Sequence, residues 1–427
     1  MDILDSVEAT PSSPFISSTA TSLELPNSPI PPIEPESLGS SPRQSSTHSS
    51  SARPTTLSSS TAHFPLGQIL TRNTSFYDIP ITDAFTELLE RYIPPDQRPE
   101  RQQQQQPLIH LDDKPEGLMT MVMNNHWRAV ARYARQKLVE TSPQDADTIL
   151  QLWYVRLLAL YQLQLYQLAS AEFEKLTDLL QQPKDDKVPF DMRVLWAILP
   201  FKLQHPLITL ERLSTLAIQC QHQQSPQREY QVYLILATKL IQMQDYHAAA
   251  NTLKAVLRKV MSMDPLSSSR LDLFSSLGRL YLQLGDLITA EQMYKELERI
   301  EQPSSLLQET IKTNKAFLHM AKGEWTLAEQ ILDQVVQQNN ENLTAMNNLA
   351  VCLVYTGKLS KAMALLDGMI KQHPVSAGTS PITLMNLCTL YELRFDGAGL
   401  IGKKVQLTKD ISRWVGDSFQ PQCVKLP

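Results

Sequence analysis

From about Pro115 onward, apolar residues recur three and four positions apart with only short breaks, the spacing that lines one face of an α-helix. Helices joined by such tight turns fold back as antiparallel pairs, so the pattern predicts hairpins and invites a search for repeats. They are present. GDLITAEQMYKEL at 285, GEWTLAEQILDQV at 323 and GKLSKAMALLDGM at 357 each open on Gly and place Ala five residues later, at Ala290, Ala328 and Ala362. A large residue follows four further on, at Tyr294, Leu332 and Leu366, and the glycines lie 38 and 34 residues apart.

Another amphipathic helix precedes each glycine. It reads Phe274-x2-Leu277-Gly278-x2-Tyr281 in the first unit and Met346-x2-Leu349-Ala350-x2-Leu353 in the third, which Pro374 closes. Large, large, small, large in one helix and small-x3-large in the next is the tetratricopeptide (TPR) pattern. The glycine permits the left-handed residue that stops the first helix. Asp286 or Glu324 beside it suits the positive start of the second, and Lys358 departs from that preference. Gly278, Ala350 and the three alanines are small where two helices cross closely. Tyr233-x2-Leu236-Ala237-x2-Leu240 with Ala249 and Leu253 makes a fourth unit without its glycine. Trp153, Ala169 and Phe173 register a fifth, and WRAVARYARQKL at 127 reads as the second helix of a half-repeat before it. The fold class is therefore all-α, a TPR-like α-α superhelix of about five to seven hairpins.

The pattern is absent at the N-terminus. Residues 1–75 are dominated by Ser, Thr and Pro and lack the apolar surface that would offset ordering entropy, which predicts a disordered arm. Thr10-Pro11, Ser13-Pro14, Ser28-Pro29 and Ser41-Pro42 could accept proline-directed phosphate, or simply reflect that composition. Residues 76–114 hold a short helix at ITDAFTELLERY, with Phe85, Leu88, Leu89 and Tyr92 on one face and Thr82 or Asp83 as cap, then the linker PPDQRPERQQQQQP. Residues 115–415 form the repeat domain and 416–427 a tail.

Composition narrows the function. A formal charge of -5 with scattered Lys and Arg offers no basic patch and argues against nucleic acid. Cys220, Cys352, Cys388 and Cys423 are far apart with no CxxC pair, which suits buried thiols in a reducing compartment. The start MDILDS is unlike a signal peptide, and no run reaches the ~18 apolar residues of a membrane span. These features point to a soluble cytosolic protein. HExxH, phosphate-loop, GxSxG and metal-ligand spacings are all missing, so neither an enzyme nor a metal or cofactor is expected. His247 and His319 sit within repeat helices as hydrogen-bonded side chains. Trp127, Trp153, Trp196 and Trp325 read as core.

A TPR array offers a concave face. Counting around the first helix of successive units places Arg279 and Leu282, then Phe317 and Met320, then Asn347, Val351 and Val354 on it. With only Arg279 and Asn347 as polar members, the face suits an apolar helix or loop better than a carboxylate clamp. Packing against neighbouring helices accounts for the same residues equally well. The tail GDSFQPQCVKLP fails the prenylation count, because Cys423 is fifth from the end. Phe419, Val424 and Leu426 instead predict a lid over the last repeat's apolar edge.

Several stretches together resemble one TPR family, subunit 12 of the trafficking protein particle (TRAPP) complex. They are WRAV at 127, LQLWYVRLLAL at 151, VPFDMRVLWAIL at 188, GRLYLQLGDLITAEQMY at 278, LAVCLVYTGKL at 349, NLCTLYEL at 386 and GDSFQPQCVKL at 416. The VPFDMR turn and the tail are not TPR features and give the likeness its specificity. The resemblance implies a non-catalytic scaffold subunit of a tethering complex in ER-to-Golgi and Golgi traffic and in autophagy. It also implies partners among the other TRAPP subunits, above all subunits 11 and 8. Rab-type GTPases and Golgi or ER-Golgi membranes would be met only through the complex. The alternative is a general TPR adaptor, a co-chaperone or targeting-signal receptor, holding a peptide in its groove.

Overall fold

The computed structural model describes residues 66–99, 115–181, 187–263, 268–299 and 304–427. Among them every regular element is an α-helix or a short 3-10 turn. The Ser-Pro and Thr-Pro pairs and the Gln-rich stretch fall outside the described residues. So does the expected arm up to residue 65. Its last ten residues, 66–75, are ordered: α1 (Gly67–Leu70) and a 3-10 turn (Asn73–Ser75) bury Leu70 and Ser75. Composition undervalues this stretch because Leu70, and Phe76 just after it, are the apolar anchors in a polar run. Helix α2 (Ala84–Tyr92) follows, capped by Asp83, whose carboxylate accepts the Thr86 N–H at 2.5 Å.

The described chain divides into two compact units. The smaller holds residues 66–78 and 115–192. Its helices are α3 (Pro115–Met123), α4 (Trp127–Glu140), α5 (Ala146–Gln162), α6 (Tyr166–Phe173) and α7 (Thr177–Gln181). Helix α3 supplies the missing first half of the WRAVARYARQKL unit, so that hairpin is complete.

The larger unit holds residues 79–99 and 193–427, the division falling inside α8 (Phe190–Lys202). After α8 come α9 (Pro206–His222), α10 (Pro226–Gln242), α11 (Tyr246–Met263), α12 (Ser268–Gln283) and α13 (Leu287–Glu298). The series continues with α14 (Ser305–Ala321), α15 (Trp325–Gln338), α16 (Leu343–Tyr355), α17 (Leu359–Gln372), α18 (Pro381–Arg394) and α19 (Gly397–Ile411). From α9 onward successive helices pack on each other, and the first helices α12 and α14 of adjacent hairpins also touch. Ala290, Ala328 and Ala362 are buried at the crossings, and Tyr294, Leu332 and Leu366 fill the space beside them. A Cβ on Gly278 would lie 2.2 Å from Cε1 of Tyr294, so a larger residue there forces that ring to move.

The hairpin turns share one geometry. Gly285, Gly323 and Gly357 have φ of 76° to 78°, and Asn125, Gln164, Gln204, Gln224 and Gln244 adopt the same left-handed conformation without being glycine. In each turn the next residue's N–H reaches back to the last turn of the helix, as from Asp286 to the Tyr281 carbonyl at 2.9 Å and from Asp245 to that of Leu240 at 2.9 Å. This six-to-one bond satisfies a carbonyl that the helix end would otherwise leave open. Asp286 caps α13 through the Thr289 N–H at 3.0 Å. Glu324 instead takes His319 Nδ1 at 2.5 Å, and Lys358 reaches across to both Glu329 oxygens at 2.6 and 2.8 Å. The non-acidic residue at 358 thus exchanges a cap for an ion pair between hairpins.

Candidate interaction site

The seven residues read as a concave face do not share one environment. Phe317, Met320 and Asn347 are buried, whereas Arg279, Leu282, Val351 and Val354 keep part of their surface. Leu282, Val351 and Val354 lean on the core that Phe317 and Met320 help to form. Asn347 works between helices: its Nδ2 donates to Thr383 Oγ1 at 3.0 Å and to the Leu343 carbonyl at 2.9 Å, and its Oδ1 accepts from Asn386 at 3.2 Å. Asn314 does the same one hairpin earlier, donating to Ser275 Oγ at 2.8 Å. Arg279 lies on α12 between Asp272 and Tyr294. Burial pulls its guanidinium below the ordinary value, and Tyr294 and Asp272 oppose that pull. Its Nε finds no hydrogen-bond partner among the described residues.

The tail is placed by contacts that its composition only half reveals. Phe419, Cys423 and Val424 are buried and Leu426 packs beside them. The ring of Phe85 on α2 meets that of Phe419 edge-on at 5.0 Å. Lys404, almost fully enclosed on α19, donates to Glu392 Oε1 at 2.7 Å and to the Lys425 carbonyl at 2.8 Å. Lys425 in turn reaches Thr389 Oγ1 at 2.8 Å. The tail is therefore tied down by a buried ammonium, which no spacing rule marks in the sequence.

A further polar centre in the smaller unit escaped the sequence reading. The side chains of Arg156 on α5 and Glu172 on α6 are both 0% exposed and form a two-pronged ion pair, Nη2 to Oε1 at 2.6 Å and Nε to Oε2 at 2.7 Å. Arg156 Nη1 also donates to the Ala131 carbonyl at 3.1 Å. The signal available was a lone Arg inside the apolar run LWYVRLLAL. Its partner stands 16 residues away and follows no local rule.

All four cysteines are free and buried. Burial pushes the thiols of Cys352, Cys388 and Cys423 up to about 12, away from the thiolate a nucleophile requires. Among the described residues no three His, Cys, Asp or Glu side chains come together as metal ligands. Trp127 and Trp153 are core, whereas Trp196 and Trp325 are half-buried. Trp196 carries Arg212 over its ring at 3.7 Å, and Trp325 stacks on Tyr355 at 3.9 Å. No helix among the described residues is long and apolar enough to cross a membrane.

A family model for the tetratricopeptide repeat matches residues 319–378. Trafficking protein particle complex subunit 12 of Mus musculus is 29% identical to this chain over 364 aligned residues, 73% of this chain and 44% of the mouse protein. The Homo sapiens protein of the same name is also 29% identical, over 73% of this chain and 48% of its own length. The chain spans about half the length of the curated relatives it matches. The crystal structure of Ypp1 overlaps 84% of this chain and 53% of that one at 14% identity, with a TM-score of 0.44, too loose a likeness to carry an argument.

Proposed function

We propose that this subunit 12-like tetratricopeptide-repeat protein is a non-catalytic assembly subunit of a TRAPP-type tethering complex, acting in ER-to-Golgi and Golgi traffic and in autophagy. The likeness to subunit 12 across 73% of the chain carries the reading. Stacked helical hairpins with buried thiols and large apolar surfaces suit a part that positions other parts. Its partners are other TRAPP subunits, chiefly subunits 11 and 8, and it meets Rab-type GTPases and Golgi membranes only through them. Arg279, Leu282, Val351 and Val354 are the partner contacts, and Phe317, Met320 and Asn347 support them from beneath.

The test is capture of those subunits by full-length protein carrying Val351→Asp and Val354→Asp. Recovery falls at least tenfold while the melting temperature stays within a few degrees. Undiminished recovery overturns the contact assignment. The half-buried Arg279, with its unpartnered Nε, favours as second reading an adaptor whose peptide brings a carboxylate to that groove. On that reading Arg279→Ala abolishes capture of a carboxylate-ended peptide, and undiminished capture overturns it.

A further inference from the structure

Residues 66–78 form a strap on the smaller unit, and four repeat side chains address its main chain. Trp153 Nε1 donates to the Leu70 carbonyl at 3.2 Å. Lys175 Nζ donates to the carbonyl of Ser75. Arg156 Nη2 donates to the Tyr77 carbonyl at 2.9 Å, and Glu172 Oε1 accepts the Tyr77 N–H at 3.0 Å. The buried ion pair therefore grips both polar groups of a single strap residue. Two apolar positions carry most of the side-chain selection, and Arg135 adds polar contacts by donating to Asn73 Oδ1 at 2.9 Å and Asp78 Oδ1 at 2.7 Å. Leu70 is enclosed, and the Phe76 ring lies 5.0 Å from the Trp153 ring and 5.0 Å from the Arg156 guanidinium carbon. Ile69 is 47% exposed and Tyr77 44%, the Tyr77 ring lying 4.9 Å from Lys175 Nζ.

Stability alone does not explain this construction. An enclosed ion pair is costly unless every remaining polar atom is paired, and well-packed apolar residues would serve a hairpin as well or better. Here two of the pairings come from the strap, 79 and 95 residues away in sequence from the groups it meets. Main-chain hydrogen bonds for grip and a few side-chain pockets for choice are the division of labour of peptide-recognition sites.

We propose that the face of α4, α5 and α6 bearing Arg156 and Glu172 is a peptide-recognition site, with residues 66–78 as its resident and exchangeable ligand. The site takes a segment folded like the strap, a helical turn and a 3-10 turn, with an apolar residue followed six positions later by an aromatic one. The strap must leave before such a segment from another chain can enter.

The probe is a fluorescein-labelled synthetic peptide of residues 66–78, added to the full chain. Wild-type protein binds it at least tenfold more weakly than a Leu70→Ala, Phe76→Ala variant, whose tethered strap no longer competes. Hydrogen exchange at the Tyr77 amide rises at least tenfold in that variant. The peptide with Ala in place of Phe76 fails to bind, and adding Arg156→Met to the variant abolishes binding. In case the double variant does not fold, a protease site inserted at Ile81, which is 86% exposed, allows the native strap to be cut after folding. The cut strap then exchanges with labelled peptide. A strap that stays protected in the double variant, a released strap that leaves no peptide binding, or aggregation on cutting that added peptide does not reverse each overturns the proposal.

Discussion

At the scale of single residues, the left-handed turns separate backbone cost from packing cost. A Cβ on Gly285 would meet nothing within 4 Å, so Gly285→Ala is penalised by conformation alone, by about 1 kcal/mol. Gln244 holds φ 64° at the equivalent place without glycine's freedom. Gln244→Gly therefore stabilises the protein, by less than about 1 kcal/mol because glycine also gains entropy when unfolded. Denaturant midpoints of the two variants should move in opposite directions. The thiols give a pH prediction. Cys352, Cys388 and Cys423 ordinarily ionise near 9 and are held at about 12 in the fold. The folded state thus keeps protons that the unfolded chain releases, and this contribution is complete below pH 9 and lost as pH rises towards 12. Thermal melts across that window should fall in wild type and fall less steeply in Cys352→Ala. None of the three should react with a thiol reagent at neutral pH before unfolding.

At the scale of elements, the tail and α2 stand or fall together, because Phe85 and Phe419 share one contact. Phe419→Ala should cost about 3 kcal/mol, as for other buried aromatic truncations. Lys404→Met should cost about 2 kcal/mol by leaving the Lys425 carbonyl without its donor and Glu392 with only Lys425. Chemical denaturation reads both, and an unchanged midpoint in either would remove the tail's role as a lid. The hairpins themselves were legible because small and large residues repeat at fixed offsets from each glycine. The upstream units were fainter for a visible reason: Gln164 and Gln244 stand where the pattern looks for Gly. Phe419, Val424 and Leu426 could be read as packing residues from their apolar character alone. Lys404 and Arg156 could not, since each is made tolerable inside the protein by carbonyls and carboxylates remote in sequence. Of the residues counted onto one face, helical periodicity could not separate buried from part-exposed positions. Phe317 and Asn347 are buried, and Val351 and Val354 keep part of their surface.

At the scale of the whole molecule, the structure changes how the N-terminal region should be probed. A cut at residue 110 would remove the strap and α2 with the arm and disturb both units. Removal of residues 1–65 spares every described element, and should leave the melting temperature unchanged. The central claim is membership of a large trafficking assembly, and isolation of the native protein tests it most directly. Purified through a tag under non-denaturing conditions and analysed by native mass measurement with mass spectrometry, it should emerge in a megadalton-class particle with other TRAPP subunits in fixed proportion. Recovery of the chain with a stoichiometric chaperone or a single small peptide-bearing partner, and with no such particle, would contradict the account.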